Sequence, residues 1–222
     1  MIMSELLHPR LDILPASQRR LWPLLKPLAD QGFVLCGGTA VALRLGHRSS
    51  VDFDFFSEKP LDRAALSFLS YCAVVQDEPD SLTVIWKDGG ESPVKVSTFG
   101  NIRFGRVGTP QLTDDGVALV ASLDDLLAQK LKVVMQRLES KDYRDIAAIL
   151  RSGADLSRGL ECALALFVIA FAPSECARAL VYFKGGDLDS LPASDRSLLE
   201  REVARLGNDF LPSPKLSERL SI

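Results

Sequence analysis

The chain contains no CxxC pair. Its four cysteines, Cys36, Cys72, Cys162 and Cys176, are scattered, and only His8 and His47 could join them as nitrogen ligands. A structural zinc site or a disulfide framework is therefore not expected. Reduced thiols in a cytoplasmic protein fit the pattern. Long hydrophobic runs are also missing. The longest, Ala163 to Ala172, is too short to span a bilayer and reads as a buried helix, which argues against a membrane partner. Met1 to Arg20 is polar and broken by Pro9 and Pro15, unlike a signal peptide. There is no internal repeat and no low-complexity tract. Nor is there an excess of one charge. Lys and Arg number 26, Asp and Glu 29, for a net charge of -3. That excludes a uniformly basic coat for nucleic acid but leaves room for a local basic cleft. What remains is ordinary for a globular protein, with 47% hydrophobic and 25% charged residues. At roughly 150 residues per domain, 222 residues make one or two domains, each able to bury a core.

Apolar spacing predicts a helix over about Gln18–Gly32, a strand at Phe33–Cys36 and a helix over Thr39–Leu45. A strand at Val51–Phe56 and a helix over about Asp62–Ala73 follow. Strands at Leu82–Trp86 and Val94–Phe99 are joined through a turn at Asp88-Gly89-Gly90, and Val117–Ala121 reads as a further strand. After Ser122 helices dominate: about Leu123–Glu139, Tyr143–Arg151, Leu156–Phe171, Ser174–Phe183 and Ala193–Leu206. The expected architecture is α+β. A domain over 1–121 carries a small mixed sheet, and a helical domain over 122–222 closes the active-site cleft, ending in a loose tail after about Asn208.

The segment from Cys36 to Ser57 carries the most chemistry. On a strand, Asp52 and Asp54 share one face while Phe53 and Phe55 point the other way, into a core. Two carboxylates side by side repel unless a cation lies between them, and hard, oxygen-seeking Mg²⁺ is a natural guest. The alternative is a polar strand face with solvated acids. Gly37-Gly38-Thr39 stands between a strand and a helix. Its glycines let backbone N–H groups approach a ligand, and the helix start behind them favours a phosphate. Thr39 adds a hydroxyl. Arg44 and Arg48 flank this turn, suited to a triphosphate or an RNA backbone, or to plain solvent exposure.

A second group lies downstream. Lys130 has Leu126, Leu127, Val133 and Val134 as its helical neighbours, so it falls in the core-facing stripe and requires an anion. Asp142 and Asp145, three apart, fit one helical face. One of them could cap the helix that follows, and the other could anchor Lys130 or Arg137 or shape a nucleotide pocket.

Strand, Gly-Gly-Thr, helix, strand and Asp-x-Asp together resemble the polymerase-β-like nucleotidyltransferase superfamily. With Arg44, Gly46, His47, Arg48 and Ser50 before the acids and Phe55-Phe56-Ser57 after them, the string resembles more specifically the AbiEii/AbiGii toxin family. Asp124 to Ile146, with Lys130, Arg137, Asp142 and Asp145, is similar to that family's second block, and Arg178–Phe183 to a later phrase. The resemblance spans about Phe33 to Pro192. It implies a transferase that moves NMP from an NTP onto an RNA such as tRNA, or onto a protein, with release of pyrophosphate. Mg²⁺ would sit on Asp52 and Asp54. Gly37, Gly38, Thr39, Arg48, Lys130, Asp142 and Asp145 would form the nucleotide site, with Lys130 on the phosphates. A Lys130–Asp ion pair tying the helical part to the sheet is the structural alternative. The implied biological role is a toxin neutralised by a partner antitoxin.

One departure stands out. The superfamily usually places a third carboxylate on a later strand, and the comparable strand here, Val94–Phe99, offers Ser97. Serine does not accept a proton at neutral pH as a carboxylate does. A degenerate fold that binds nucleotide or RNA without turnover is the alternative that this residue raises.

Overall fold

The computed structural model describes residues 6–87, 92–207 and 209–222. The turn expected at Asp88-Gly89-Gly90 lies outside them. Two compact units emerge: one of residues up to Gly105 with Thr109–Ser122 and Ser217–Ile222, the other of Arg106–Gly108 with Leu123–Leu216.

The first unit is built on a seven-stranded mixed sheet. Its strands are β1 (Val34–Cys36), β2 (Asp52–Phe56), β3 (Cys72–Glu78), β4 (Ser81–Trp86), β5 (Val94–Phe99), β6 (Gln111–Leu112) and β7 (Leu119–Val120), in the spatial order β3-β4-β5-β2-β1-β7-β6. β1 runs antiparallel to β2 and parallel to β7, and β2 runs parallel to β5. β2 alternates half-exposed acids with fully buried Phe53 and Phe55. Phe53 packs 6.0 Å from Trp22, centroid to centroid, and Phe55 lies 6.4 Å from Phe53. This apolar side of the strand anchors the sheet and thereby holds the acids on its other side.

Three short consecutive segments lead into β1: α1 (Ala16–Leu21), a 3₁₀ turn (Trp22–Leu25) and α2 (Lys26–Asp30). The single helix expected here is interrupted. Pro23 and Pro27 lack an N–H and crowd the preceding turn, and both fall at the starts of the new segments. Of the leucines expected together on one face, Leu21, Leu25 and Leu28 stay fully buried, whereas Leu24 is exposed. The next helix, α3 (Gly37–Leu45), begins two residues before the expected Thr39.

The helix expected over Asp62–Ala73 is not formed. Two 3₁₀ turns, Arg63–Ala65 and Ser67–Tyr71, lead instead into β3. β3 is an edge strand, half-exposed at Cys72 and exposed from there on. With neither face buried it lacks the apolar alternation that would announce a strand.

The second unit comprises α4 (Leu123–Val133), α5 (Ser140–Arg151), α6 (Leu156–Leu166), α7 (Pro173–Leu180) and α8 (Ala193–Ala204). α4 stops six residues before the expected Glu139, and α6 ends at Leu166. No described helix is long and apolar enough to cross a membrane. Residues Arg106–Gly108 also belong here. The Val107 and Gly108 amides donate to the buried Asp125 carboxylate on α4, at 2.8 and 3.1 Å. Ser217–Ile222 returns to the first unit, where Glu58 accepts from the Leu220 amide and the Ser221 hydroxyl.

Candidate active site

The acids of β2 are placed by strand register. Asp52 pairs with Lys95 and Asp54 with Ser97 on β5, while Cys36 of β1 lies opposite Asp54. Immediately after Cys36 the chain enters α3. The Cys36 side chain makes no capping hydrogen bond, so the residue ahead of the helix does not satisfy the amides of its first turn. Gly37 has φ +70°, and a Cβ there would stand 2.7 Å from Asp54 Oδ2. The Asp54 carboxylate therefore lies directly over the glycine that opens the helix. This relation joins the two halves of the motif, the glycine turn and the acid pair.

Thr39 is placed differently from the expectation of a ligand hydroxyl. It is buried. Its Oγ1 shares a 2.9 Å hydrogen bond with Ser50 Oγ and donates to the Asp52 carbonyl. It fixes the first turn of α3 to the start of β2, so it positions the acids rather than facing a ligand. Gly38 is the second residue of α3 and half-exposed. Arg44 donates to the carbonyls of Ala121 and Val120 and to the Gln111 side chain, at 2.7, 3.0 and 2.7 Å. It clamps α3 to the β6–β7 edge, a role outside both of its expected ones. Arg48, half-exposed, donates to the neighbouring Ser49 carbonyl.

Lys95 was not singled out by the sequence. Its Nζ lies 3.3 Å from Asp52 Oδ2, with the two side chains 42% and 36% exposed. A positive charge therefore already sits on the carboxylate face. Ser97, beside Asp54, is 5% exposed, and its Oγ is 3.5 Å from Thr83 Oγ1. No carboxylate stands at either of these β5 positions.

Among the described residues no group of three or more His, Cys, Asp or Glu side chains is arranged to hold a metal ion. Mg²⁺ does not require one. It commonly takes one or two carboxylates and completes its octahedron with water and substrate phosphates. Asp52 and Asp54 supply that kind of donor pair, so the residues fit the ion.

The downstream residues assemble within the helical unit. Lys130 Nζ lies 2.7 Å from Asp142 Oδ1 and 2.7 Å from Asp145 Oδ2. Its side chain is 7% exposed and both carboxylates are fully buried. Arg137 completes the group, its Nε 2.8 Å from Asp142 Oδ2 and its Nη2 3.2 Å from Oδ1. Burial alone would raise the Asp142 pKa, but the Arg137 hydrogen bond and the Lys130 charge outweigh it and hold the carboxyl below its ordinary range. Lys130 thus finds its required anion on α5. The ion pair ties α4 to α5, where the structural alternative had it tie the helices to the sheet, and it engages the ammonium that was expected to contact phosphates. The start of α5 is capped by neither Asp142 nor Asp145. Asp187 does this, accepting from the Ser140 amide and hydroxyl at 2.6 and 2.8 Å.

Comparison with known proteins adds an independent line. A family model described as "Nucleotidyl transferase AbiEii toxin, Type IV TA system" matches residues 20–214. The uncharacterized protein aq_aa25 of Aquifex aeolicus (strain VF5) is 34% identical over 131 residues, which cover 56% of this chain and 61% of that one. The match thus spans less than two thirds of that relative's length. Among solved structures, MenT4, a nucleotidyltransferase toxin from Mycobacterium tuberculosis H37Rv, aligns with a TM-score of 0.56 at 14% identity, covering 86% of this chain and 83% of its own. An antigenic nucleotidyltransferase-like protein from Paracoccidioides brasiliensis aligns at 0.46 and 18% identity, over 78% of this chain and 94% of that one. At such identity the MenT4 likeness concerns the fold, an α+β nucleotidyltransferase fold with a mixed sheet.

Proposed function

Because the chain belongs to the AbiEii nucleotidyl transferase toxin family, we propose that it moves NMP from a magnesium-bound NTP onto an RNA, such as the 3′ end of tRNA, or onto a protein. It would act in the cytoplasm, as the toxin of a pair with a cognate antitoxin. The observation that carries this is the packing of Asp54 over Gly37. It sets an acid pair beside the start of a helix whose N-cap side chain makes no capping bond, so that one nucleotide could meet both.

The residues divide the work by their chemistry. Asp52 and Asp54 would hold the cation. Bound there, Mg²⁺ would draw charge off the phosphates and ease departure of pyrophosphate. The amides of Gly37 and Gly38 at the head of α3 would donate to phosphate oxygens, since the N–H groups of a helix's first turn and the helix dipole both favour an anion. Thr39 keeps that turn and the acid strand at fixed separation through the Asp52 carbonyl. Arg48, next to this loop, would contact the nucleotide or the acceptor backbone. Lys130, Asp142 and Asp145 would support the helical unit as a neutralised buried cluster. Catalysis of this kind is mostly positioning and charge stabilisation, with little covalent work for the protein.

Ser97 favours one second reading. With a hydroxyl in place of a carboxylate beside Asp54, the fold would bind nucleotide or RNA without turnover. One experiment separates the two. Each of the four NTPs, labelled, is incubated with Mg²⁺, total tRNA and the protein or its Asp54→Ala variant. Label on RNA or protein, lost in the variant, supports the transferase and names its base. Nucleotide binding without transfer supports the degenerate binder. Transfer undiminished in the variant removes the metal assignment.

A further inference from the structure

We propose that Lys95 is a phosphate-binding residue of the nucleotide site, which pairs with Asp52 until a divalent cation displaces it and then engages the triphosphate. The proposal rests on the assignment of Asp52 and Asp54 as the metal carboxylates.

Register is the first support. In the parallel β2–β5 pairing Lys95 stands beside Asp52 and Ser97 beside Asp54. The β5 strand, where the superfamily resemblance implies a third acid, therefore contributes a cation and a hydroxyl to the carboxylate face. Lys95 reaches that face in fact, with its ammonium 3.3 Å from Asp52 Oδ2.

Exchangeability is the second. The pair is partly open to solvent, 42% exposed at Lys95 and 36% at Asp52. An ion pair in that setting is weak because water screens it. The lysine stem is flexible and its ammonium is a compact charge able to change partners. A divalent cation carries twice the charge and prefers carboxylate oxygen. It would take Asp52 and release Lys95 a few ångströms away, within reach of whatever the cation itself binds.

Charge balance is the third. Two carboxylates and one divalent cation sum to zero, which leaves the several negative charges of a nucleoside triphosphate unmatched. Cations of the protein are what the ligand requires, and Arg48 by itself does not match several charges. Lys130 is a poor candidate, because its charge is already met by two buried carboxylates. Among the described residues Lys95 pairs with Asp52, the group the metal would claim.

The test compares wild type with Lys95→Met, Lys95→Arg and Asp54→Asn. Mn²⁺ binding to the nucleotide-free protein is measured by calorimetry, and binding of tripolyphosphate in the presence of Mg²⁺ by equilibrium dialysis. Tripolyphosphate has no base, so the unknown base preference does not enter. Removing a competing cation should tighten Mn²⁺ binding roughly threefold in Lys95→Met, and losing a charge-assisted contact should weaken tripolyphosphate about tenfold. Lys95→Arg should restore both. Mn²⁺ affinity that is unchanged or weaker in Lys95→Met, or tripolyphosphate affinity that is unchanged, overturns the proposal while leaving the metal assignment in place. Asp54→Asn reads that assignment separately. If it binds Mn²⁺ as wild type does, the acid pair is not the metal site and both ideas fall together.

Discussion

Gly37 and Asp54 are in contact across the head of α3. A methyl group on Gly37 would stand 2.7 Å from Asp54 Oδ2, and Gly37 itself is left-handed at φ +70°. Any L side chain here is penalised twice, by backbone strain and by collision with the acid. Gly37→Ala should therefore lower stability by about 2 kcal/mol and turn the Asp54 carboxylate aside. Gly38, whose φ is not positive, carries no such backbone cost. Urea unfolding of the two alanine variants checks this, with Gly38→Ala close to wild type. Equal losses would show that the contact with Asp54 does not set the requirement at Gly37.

Lys130 offers a sharper contrast. Between them Lys130 and Arg137 neutralise two fully buried carboxylates. Removing one member of a buried ionic group leaves charge without compensation, at a cost of about 3–5 kcal/mol. Lys130→Met should thus unfold well below the wild-type denaturant midpoint. A phosphate ligand would behave otherwise. Its loss would leave the midpoint unchanged and reduce nucleotide affinity alone. Measuring both quantities on the same variant decides between the two roles.

How much of this the sequence disclosed depended on whether the deciding contact was local. Alternation along Asp52–Phe56 is a local pattern and lies where it was expected, while Gly37 and Gly38, expected as a turn ahead of the helix, form the first residues of α3. The spacing of Leu126, Leu127, Val133 and Val134 around Lys130 likewise put it on the buried face and required an anion nearby; of these four only Val133 is half-exposed. Which anion is a matter of tertiary packing, and Asp142 and Asp145 supply it from the next helix. Lys95 could not be read at all. It becomes interesting only through the β2–β5 register, which pairs residues 43 apart. β3 was hidden for a different reason: an exposed edge strand has no buried face to imprint on its sequence. Gly186 is a last case. A Cβ there would collide with the Leu138 carbonyl, a constraint set by a residue far away in the chain.

The four cysteines should be slow to react in the folded protein. Cys36, Cys162 and Cys176 are buried and Cys72 is half-buried. Burial pushes the thiol of Cys176 up to about 12 and that of Cys72 up to about 11, and raises that of Cys162. Only the thiolate attacks a disulfide reagent. At pH 8 a thiol reagent should label the native protein slowly and all four cysteines rapidly in guanidinium. Fast labelling of Cys176 in native buffer would contradict the packing of α7.

Acid should weaken the helical unit through Asp142. Its carboxyl is held below the ordinary range by Arg137 and Lys130 despite burial. A group with a depressed folded pKa binds its proton more readily when unfolded. Its contribution is therefore fully present above the unfolded value of about 3.9 and is lost as pH falls through the folded value. Asp187, which caps α5, is shifted the same way by its hydrogen bonds from Ser140, so the two losses coincide. The urea midpoint of wild type should be flat near neutrality and fall below about pH 4. Asp142→Asn should start lower at neutral pH, because Arg137 and Lys130 lose a charged partner. It should then fall less steeply in acid, because the proton that Asp142 takes up is no longer at issue. Parallel acid limbs for the two proteins would show that Asp142 does not carry the pH dependence.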